Sequence, residues 1–265
     1  MHVISGDTKN APFDLGSFAS RVTVAAGSAV CMAADAILNE LLPVAAIKLG
    51  CRADQLAVGD GEIYSVYEKE RRMAFWDVVE EYIASNGPLS ATGHYTPPRR
   101  TGEFKGANVG HSPTYGFTAH VAEVEVDTET GEVKVVKYNE AGDCGQPINP
   151  LSVEGQVEGS IVMAMGQALF EEIKLGADGR LVNPNLHDYK VPTMVDIPKI
   201  ETYAVESYDP DSPFGAKEAG EGPIQPAIPA ILNAIYDAIG VRFTEMPVTP
   251  EKVLKALEEK KEVYP

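Results

Sequence analysis

Cysteine is scarce in this sequence and poorly placed for ligation. The three present, Cys31, Cys51 and Cys144, form no CxxC pair. That argues against zinc or iron–sulfur binding within the chain, and an odd, scattered set fits a reducing cytoplasm. Positive charge is also in deficit. Lys and Arg number 22 against 39 Asp and Glu, a formal net charge of −17. Such an excess opposes nucleic acid and anionic membranes as partners, and its plainest use is solubility. No run approaches the roughly 18 apolar residues of a membrane span. The opening MHVISGDTKN has no apolar signal-peptide core. No GK[ST] follows a glycine loop, so a P-loop is absent, and there is no G-x-S-x-G nucleophile elbow. What is present is globular: 265 residues, 44% hydrophobic and 23% charged, enough for one large or two medium domains around a sizeable core.

Helix and strand patterns alternate along the chain, which predicts an α+β fold of mixed sheets with packed helices. A polar, turn-rich start runs into SFASRVT (Ser17–Thr23). Its hydroxyls and Arg21 suit an anion or polar cofactor, or else a solvated loop with a helix cap; both readings stay open. Ala26, Ala29, Val30, Ala33, Ile37, Leu38 and Leu41 mark a small-residue helix, which Pro43 ends or kinks. Leu56–Val66 reads as strands turning at Gly59–Gly61. Phe75–Ile83 is a short amphipathic helix stopped by Asn86-Gly87-Pro88. Residues 86–116 show no periodicity; His94 and His111 fall there without partners at metal spacing and read as surface or hydrogen-bonding histidines. His120–Val126 and Glu132–Tyr138 alternate around Asp127–Gly131 as a hairpin. A loop with Asp143, Cys144, Gln146 and Asn149 then enters a helix faced by Val153, Val157, Ile161, Met165 and Leu169. Gly155, Gly159 and Gly166 weaken that helix by about 1 kcal/mol each, which makes sense if a cofactor or second helix lies against it. Gln156 and Gln167 are its polar offerings. Thr249 and Pro250 start a last helix, with Val253, Leu254 and Leu257 inward. Two subdomains are expected, at about 1–115 and 116–265.

The chain is organised around Phe214–Gly240. Gly215, Gly220 and Gly222 form a loop that feeds an apolar helix through Pro226 and Pro229. Glu218 and Glu221 sit in that loop. A carboxylate there serves the helix dipole or acts as a general base on a rigid element. As a glycosidase pair the two would have to come from separate elements flanking a sugar cleft, which their spacing disfavours.

Three segments taken together resemble the molybdopterin-binding subunit of the xanthine oxidase family of molybdenum hydroxylases: GDTKNAPFDLGSFASRVT (Gly6–Thr23), DCGQPINPLSVEGQVEG (Asp143–Gly159) and GAKEAGEGP (Gly215–Pro223). The resemblance covers nearly the whole chain. Within the family, DLGSFASR, YTPPRR, GEFKGANVGHSPTYGF and the EAGEG variant look most like the large subunit of 4-hydroxybenzoyl-CoA reductase. The resemblance implies roles. Glu221 matches the active-site base beside the molybdenum. Ala19 matches the position whose backbone approaches the metal. Ser20, Arg21 and Thr23 match the stretch lining the pterin and its phosphates, and Gln156 and Gly220 match cofactor contacts. The pterin carries the metal, so no side chain here is implied as a metal ligand. The implied cofactor is molybdopterin, as its cytosine dinucleotide, with iron–sulfur and FAD groups on partner subunits only.

The sequence also departs from that family. It has no counterpart of the earlier glycine/glutamine loop or of the A-F-R-G arginine segment that complete the cofactor site. It therefore resembles the C-terminal half of a split catalytic subunit, or a truncated gene. The expected partners are an N-terminal molybdopterin-binding subunit, a 2Fe-2S subunit, an FAD subunit and a small-molecule substrate, an aromatic, heteroaromatic or aldehyde compound. The expected alternative is a non-catalytic scaffold that has kept the fold and lost the cofactor.

Overall fold

The computed structural model describes residues 2–11, 13, 16–97 and 114–263. It divides into two units, Val22–Thr101 on the one hand and Met1–Arg21 with Gly102–Pro265 on the other. This differs from the division expected near residue 115. The N-terminal strap belongs with the C-terminal unit, because Ser20 pairs there with Glu221.

The Val22–Thr101 unit begins with α1 (Val22–Leu49), which continues past Pro43. Of the expected end or kink at that proline, the end is corrected. Proline frees the carbonyl of the residue four before it; that residue, Asn39, is exposed, where water can take the bond. A second correction concerns apolar runs. Over its most apolar 18-residue window α1 has a mean hydropathy of 1.7 and is 17% buried, so by length and composition it could cross a membrane. Asp35 and Glu40 interrupt the run of apolar residues, yet such scattered charges leave the average high. Val30 and Ile47 are its most exposed large apolar side chains. The expected strands form β1 (Leu56–Gly59) and β2 (Glu62–Ser65), joined at Asp60 and Gly61, both at positive φ. β3 (Arg72–Ala74) completes an antiparallel sheet. α2 (Phe75–Asn86) ends where the Gly87 N–H reaches back to Ile83. Leu41, Ala45, Ile63, Val78 and Val79 form this unit's core. His94 is exposed in a stretch without regular structure, while His111, residues 98–100 and the GEFKGANVG segment lie outside the described residues.

In the second unit the hairpin is longer than its alternation suggested: β4 (Phe117–Val126) and β5 (Val133–Asp143) are antiparallel, with Phe117 opposite Asp143. β6 (Lys199–Ala204) adds in parallel to β5. α3 (Pro150–Leu169) is capped by Asn149, whose side chain accepts from the Ser152 N–H. α4 (Ala227–Ile239) buries Ile231, Ile235 and Ile239, and α5 (Pro250–Val263) buries Val253. Gly240, at φ 67°, closes α4, and the Lys260 ammonium reaches the Ile239 carbonyl at 2.8 Å, the sign of charge that a helix C-terminus favours. One core joins Tyr138, Val157, Ile161, Met165 and these helix residues. The fold is α+β, as expected.

Candidate functional site

The site grows from the end of the sheet where Phe117 faces Asp143. The chain leaves β5 there and the Gly215–Gly222 loop returns to it. The Lys217 N–H donates to the Cys144 carbonyl at 2.7 Å, and the Gln146 N–H to Gly215 at 3.0 Å. Phe214 and Gly215 both take positive φ, 56° and 78°. At Gly215 a Cβ would collide with the Tyr208 ring, so glycine is required there. The Asp143 carboxylate ties the segments together. It accepts from Lys217 Nζ at 2.8 Å, Ser207 Oγ at 2.7 Å and the Gly145 N–H at 3.0 Å. Burial opposes its charge, but the bonds from Lys217, Gly145 and Ser207 outweigh it and hold the carboxyl below its usual range. Sequence reasoning placed Asp143 in a loop and did not see this role; the lysine of GAKEAGEG was the available signal.

Downstream the loop meets the N-terminal strap and α3. Ser20 Oγ accepts from the Glu221 N–H at 2.8 Å, across 201 positions of sequence. Ser160 Oγ donates to the Gly220 carbonyl at 3.3 Å. A Cβ on Gly220 would stand 2.7 Å from Ser20 Oγ and 3.5 Å from Gln156 Oε1, so only glycine lets the three segments close up. Ala19 and Ser20 both sit in the left-handed region, φ 50° and 51°. Such backbone costs of order 1–3 kcal/mol per residue and persists where surroundings over-determine it.

Of the residues singled out from sequence, Ser20, Gln156, Gly220 and Glu221 come together here, with Ala19 and Arg21 flanking Ser20 in the strap. Thr23 lies in the first turn of α1, in the other unit. Ser160 was missed, although it follows Gln156 by one helical turn on α3. The two loop glutamates diverge. Glu218 Oε1 accepts from the Gly116 N–H at 3.4 Å. Glu221 is exposed and makes no side-chain capping bond to the turn it precedes, Gly222–Ile224. Gly155 and Gly159 on α3 have nothing within 4 Å of where a Cβ would be, whereas a Cβ on Gly166 would meet Glu171 and Pro192. Among the described residues no three His, Cys, Asp or Glu side chains gather to hold a metal ion.

A sequence profile of the molybdopterin cofactor-binding domain matches residues 1–198. The chain is 36% identical over 261 residues to "Probable hypoxanthine oxidase XdhD" of Escherichia coli (strain K12), covering 97% of this chain and 26% of that protein. It is likewise 36% identical over 251 residues to the "Xanthine dehydrogenase molybdenum-binding subunit" of Escherichia coli O157:H7, covering 93% of this chain and 32% of the other. Among solved structures, "Reconstituted CO dehydrogenase from Oligotropha carboxidovorans" superposes with a TM-score of 0.82 at 27% identity, over 97% of this chain and 31% of that one. The chain thus spans about a quarter to a third of the length of the proteins it matches.

Proposed function

The chain belongs to the molybdopterin cofactor-binding family of xanthine dehydrogenase-type proteins, and from that premise we propose that it forms one side of the cofactor site in a molybdenum oxidoreductase. Its substrate is an aromatic, heteroaromatic or aldehyde compound, with a hydroxybenzoyl-CoA thioester the specific candidate that the DLGSFASR and EAGEG segments suggest. The observation that carries the reading is the bond from the Glu221 N–H to Ser20 Oγ. It fastens the loop to the strap at the glutamate, one residue after Gly220, where a Cβ would stand 3.5 Å from Gln156 Oε1.

The residues present suit one wall of such a site. Gly155 and Gly159 leave bare helix surface beside Gln156, where a flat group can lie close. The left-handed Ala19–Ser20 backbone and the close approach at Gly220 are the kind of strained geometry that cofactor sites retain. When bound, molybdopterin supplies the redox metal and a metal-activated hydroxyl. The chain's own part is narrower. The exposed Glu221 carboxylate stands ready to take a proton, with its backbone pinned on both sides. The Gln156 amide donates to a charged ligand. Ser20 and Arg21 face its phosphates, with the cytosine dinucleotide the form proposed. The opposite wall is supplied by an N-terminal molybdopterin-binding subunit. That subunit also covers the exposed apolar face of α1. Electrons leave through 2Fe-2S and FAD groups on further partners, in the cytoplasm.

The test is turnover of the assembled enzyme at equal molybdenum content. Glu221→Gln should lose activity by the roughly 10²–10⁴-fold of a removed general base, while Glu218→Gln costs far less. If Glu218→Gln is the inactive variant, the base is misassigned. If neither matters, the chain is a non-catalytic homologue or its reaction needs no carboxylate here.

A further inference from the structure

Behind the loop, in the sheet-containing unit, is a cavity of about 240 Å³. Its walls are apolar on most sides: Phe117, Val153, Val157 and Pro223. Set into one wall is Glu140, a carboxyl only 2% exposed. It begins a chain of buried polar groups. Glu140 Oε1 is 2.7 Å from Thr118 Oγ1, and Thr118 Oγ1 is 2.9 Å from His120 Nε2. His120 Nδ1 is 3.0 Å from the Tyr138 hydroxyl, which donates to the Ala227 carbonyl at 3.3 Å. Gly142 makes room for the carboxyl, since a Cβ there would strike Glu140 Oε1.

Counting hydrogens constrains this chain. There are four contacts, and each needs one hydrogen. Thr118 and Tyr138 bring one apiece. The other two come either from a neutral His120 with a protonated Glu140 or from a His120 imidazolium with a Glu140 carboxylate. Burial lowers the His120 pKa to about 4 and raises that of Glu140, with the Thr118 bond working against the second. In both arrangements the second carboxyl oxygen carries no hydrogen and remains an acceptor at the cavity wall.

We propose that this cavity is a binding site for a small, uncharged heteroaromatic ring that donates a ring N–H to the Glu140 carboxyl. Size sets the first limit. A cavity of roughly 150 Å³ with apolar walls takes a benzene ring, so one ring fits here with space for a substituent. Charge sets the second. Asp143, Glu154 and Glu218 face the same space, with the Cys144 thiol, while the ammonium of Lys217 is paired to Asp143. Among the described residues an anion would meet the Asp143 and Glu154 carboxylates with the Lys217 ammonium already paired, a mismatch that is strongly disfavoured. Hydrogen-bond polarity sets the third: the wall offers an acceptor, so the ligand must bring the donor. The inference does not rest on the role proposed for Glu221.

Pyrrole and furan are the probes, since they share a shape and differ in the ring N–H. On the 265-residue chain, pyrrole should shift the NMR signals of Thr118, Glu140 and Val157 saturably. Furan and benzoate should bind at least about tenfold more weakly, as a buried hydrogen-bonding group left unmatched implies. Glu140→Leu should weaken pyrrole by a similar factor and leave furan unchanged or improved. Val157→Phe, which fills the cavity with apolar atoms, should abolish binding of both rings. The probe comparison needs no variant, so a misfolded substitution does not blunt it. Equal binding of pyrrole and furan, binding of benzoate, or no saturable shift from pyrrole would overturn the proposal.

Discussion

Glu218 and Glu221 belong to one loop, yet their surroundings have opposite characters. On the Glu218 side the loop is tied down: Lys217 is ion-paired to Asp143, its N–H is bonded to Cys144, and Glu218 meets the Gly116 N–H. On the Glu221 side two hydroxyls, those of Ser20 and Ser160, hold the backbone, and the carboxylate is exposed. A rigid upstream half and an open downstream half suit a group that must be presented rather than buried. The comparison also explains why two similar residues need not share a role, since placement relative to the anchors separates them.

The largest effect on that anchoring should come from Asp143→Ala. It strands the Lys217 ammonium, 11% exposed, and removes the acceptor of the Ser207 hydroxyl and the Gly145 N–H. A loss of about 2–4 kcal/mol is expected, read from the denaturation midpoint. The pH dependence has a definite sign. Asp143 has a folded pKa below its unfolded one, so its stabilisation is present above the ordinary carboxylate pKa and is lost as pH falls through that range to the folded value. Asp143→Asn should flatten that acid slope. An unchanged slope would mean that the pair does not anchor the loop.

Gly220→Ala comes next, at about 1–2 kcal/mol, because its Cβ would crowd Ser20 Oγ at 2.7 Å. The cost should shrink in a Ser20→Ala background, where the colliding atom is gone; a double-mutant cycle with no coupling would break the picture of a closed junction. Ser20→Ala alone is the smallest effect. It removes one acceptor at an accessible site and should cost about 0.5–1 kcal/mol, measured in the same denaturation series.

Much of this was legible in the residues. Asn149 before Pro150, Gly240 after Ile239 and the alternation around Asp127–Gly131 announced their elements, because caps, turns and period-two patterns are local. The GAKEAGEG, DCGQPINP and SFASRVT segments pointed to one site that the fold partly assembles. Elsewhere the deciding fact was tertiary. Whether Pro43 stops a helix depends on whether Asn39 can reach water, which no local pattern states. Glu140 lies just beyond the strand read as Glu132–Tyr138. Its phase was the signal, since it falls on the same side of β5 as the buried Tyr138, two residues before it, and Thr118 and His120 repeat that spacing on β4. The Asp143–Lys217 pair joins residues far apart in sequence, and composition alone cannot pair them.

The central claim is that the Gln156–Gly220–Ser20 junction is a cofactor-binding wall. Molybdenum and pterin content of the assembled protein, purified at limiting cofactor, tests it most directly in Gln156→Ala beside a control, Glu158→Ala, an exposed residue of the same helix. A lost hydrogen bond to a charged ligand is worth about 1.5–3 kcal/mol, on the order of 10- to 100-fold in affinity. The account predicts a depleted Gln156→Ala protein with its fold intact and a fully loaded Glu158→Ala protein. A Gln156→Ala protein that carries the wild-type complement of both would contradict it.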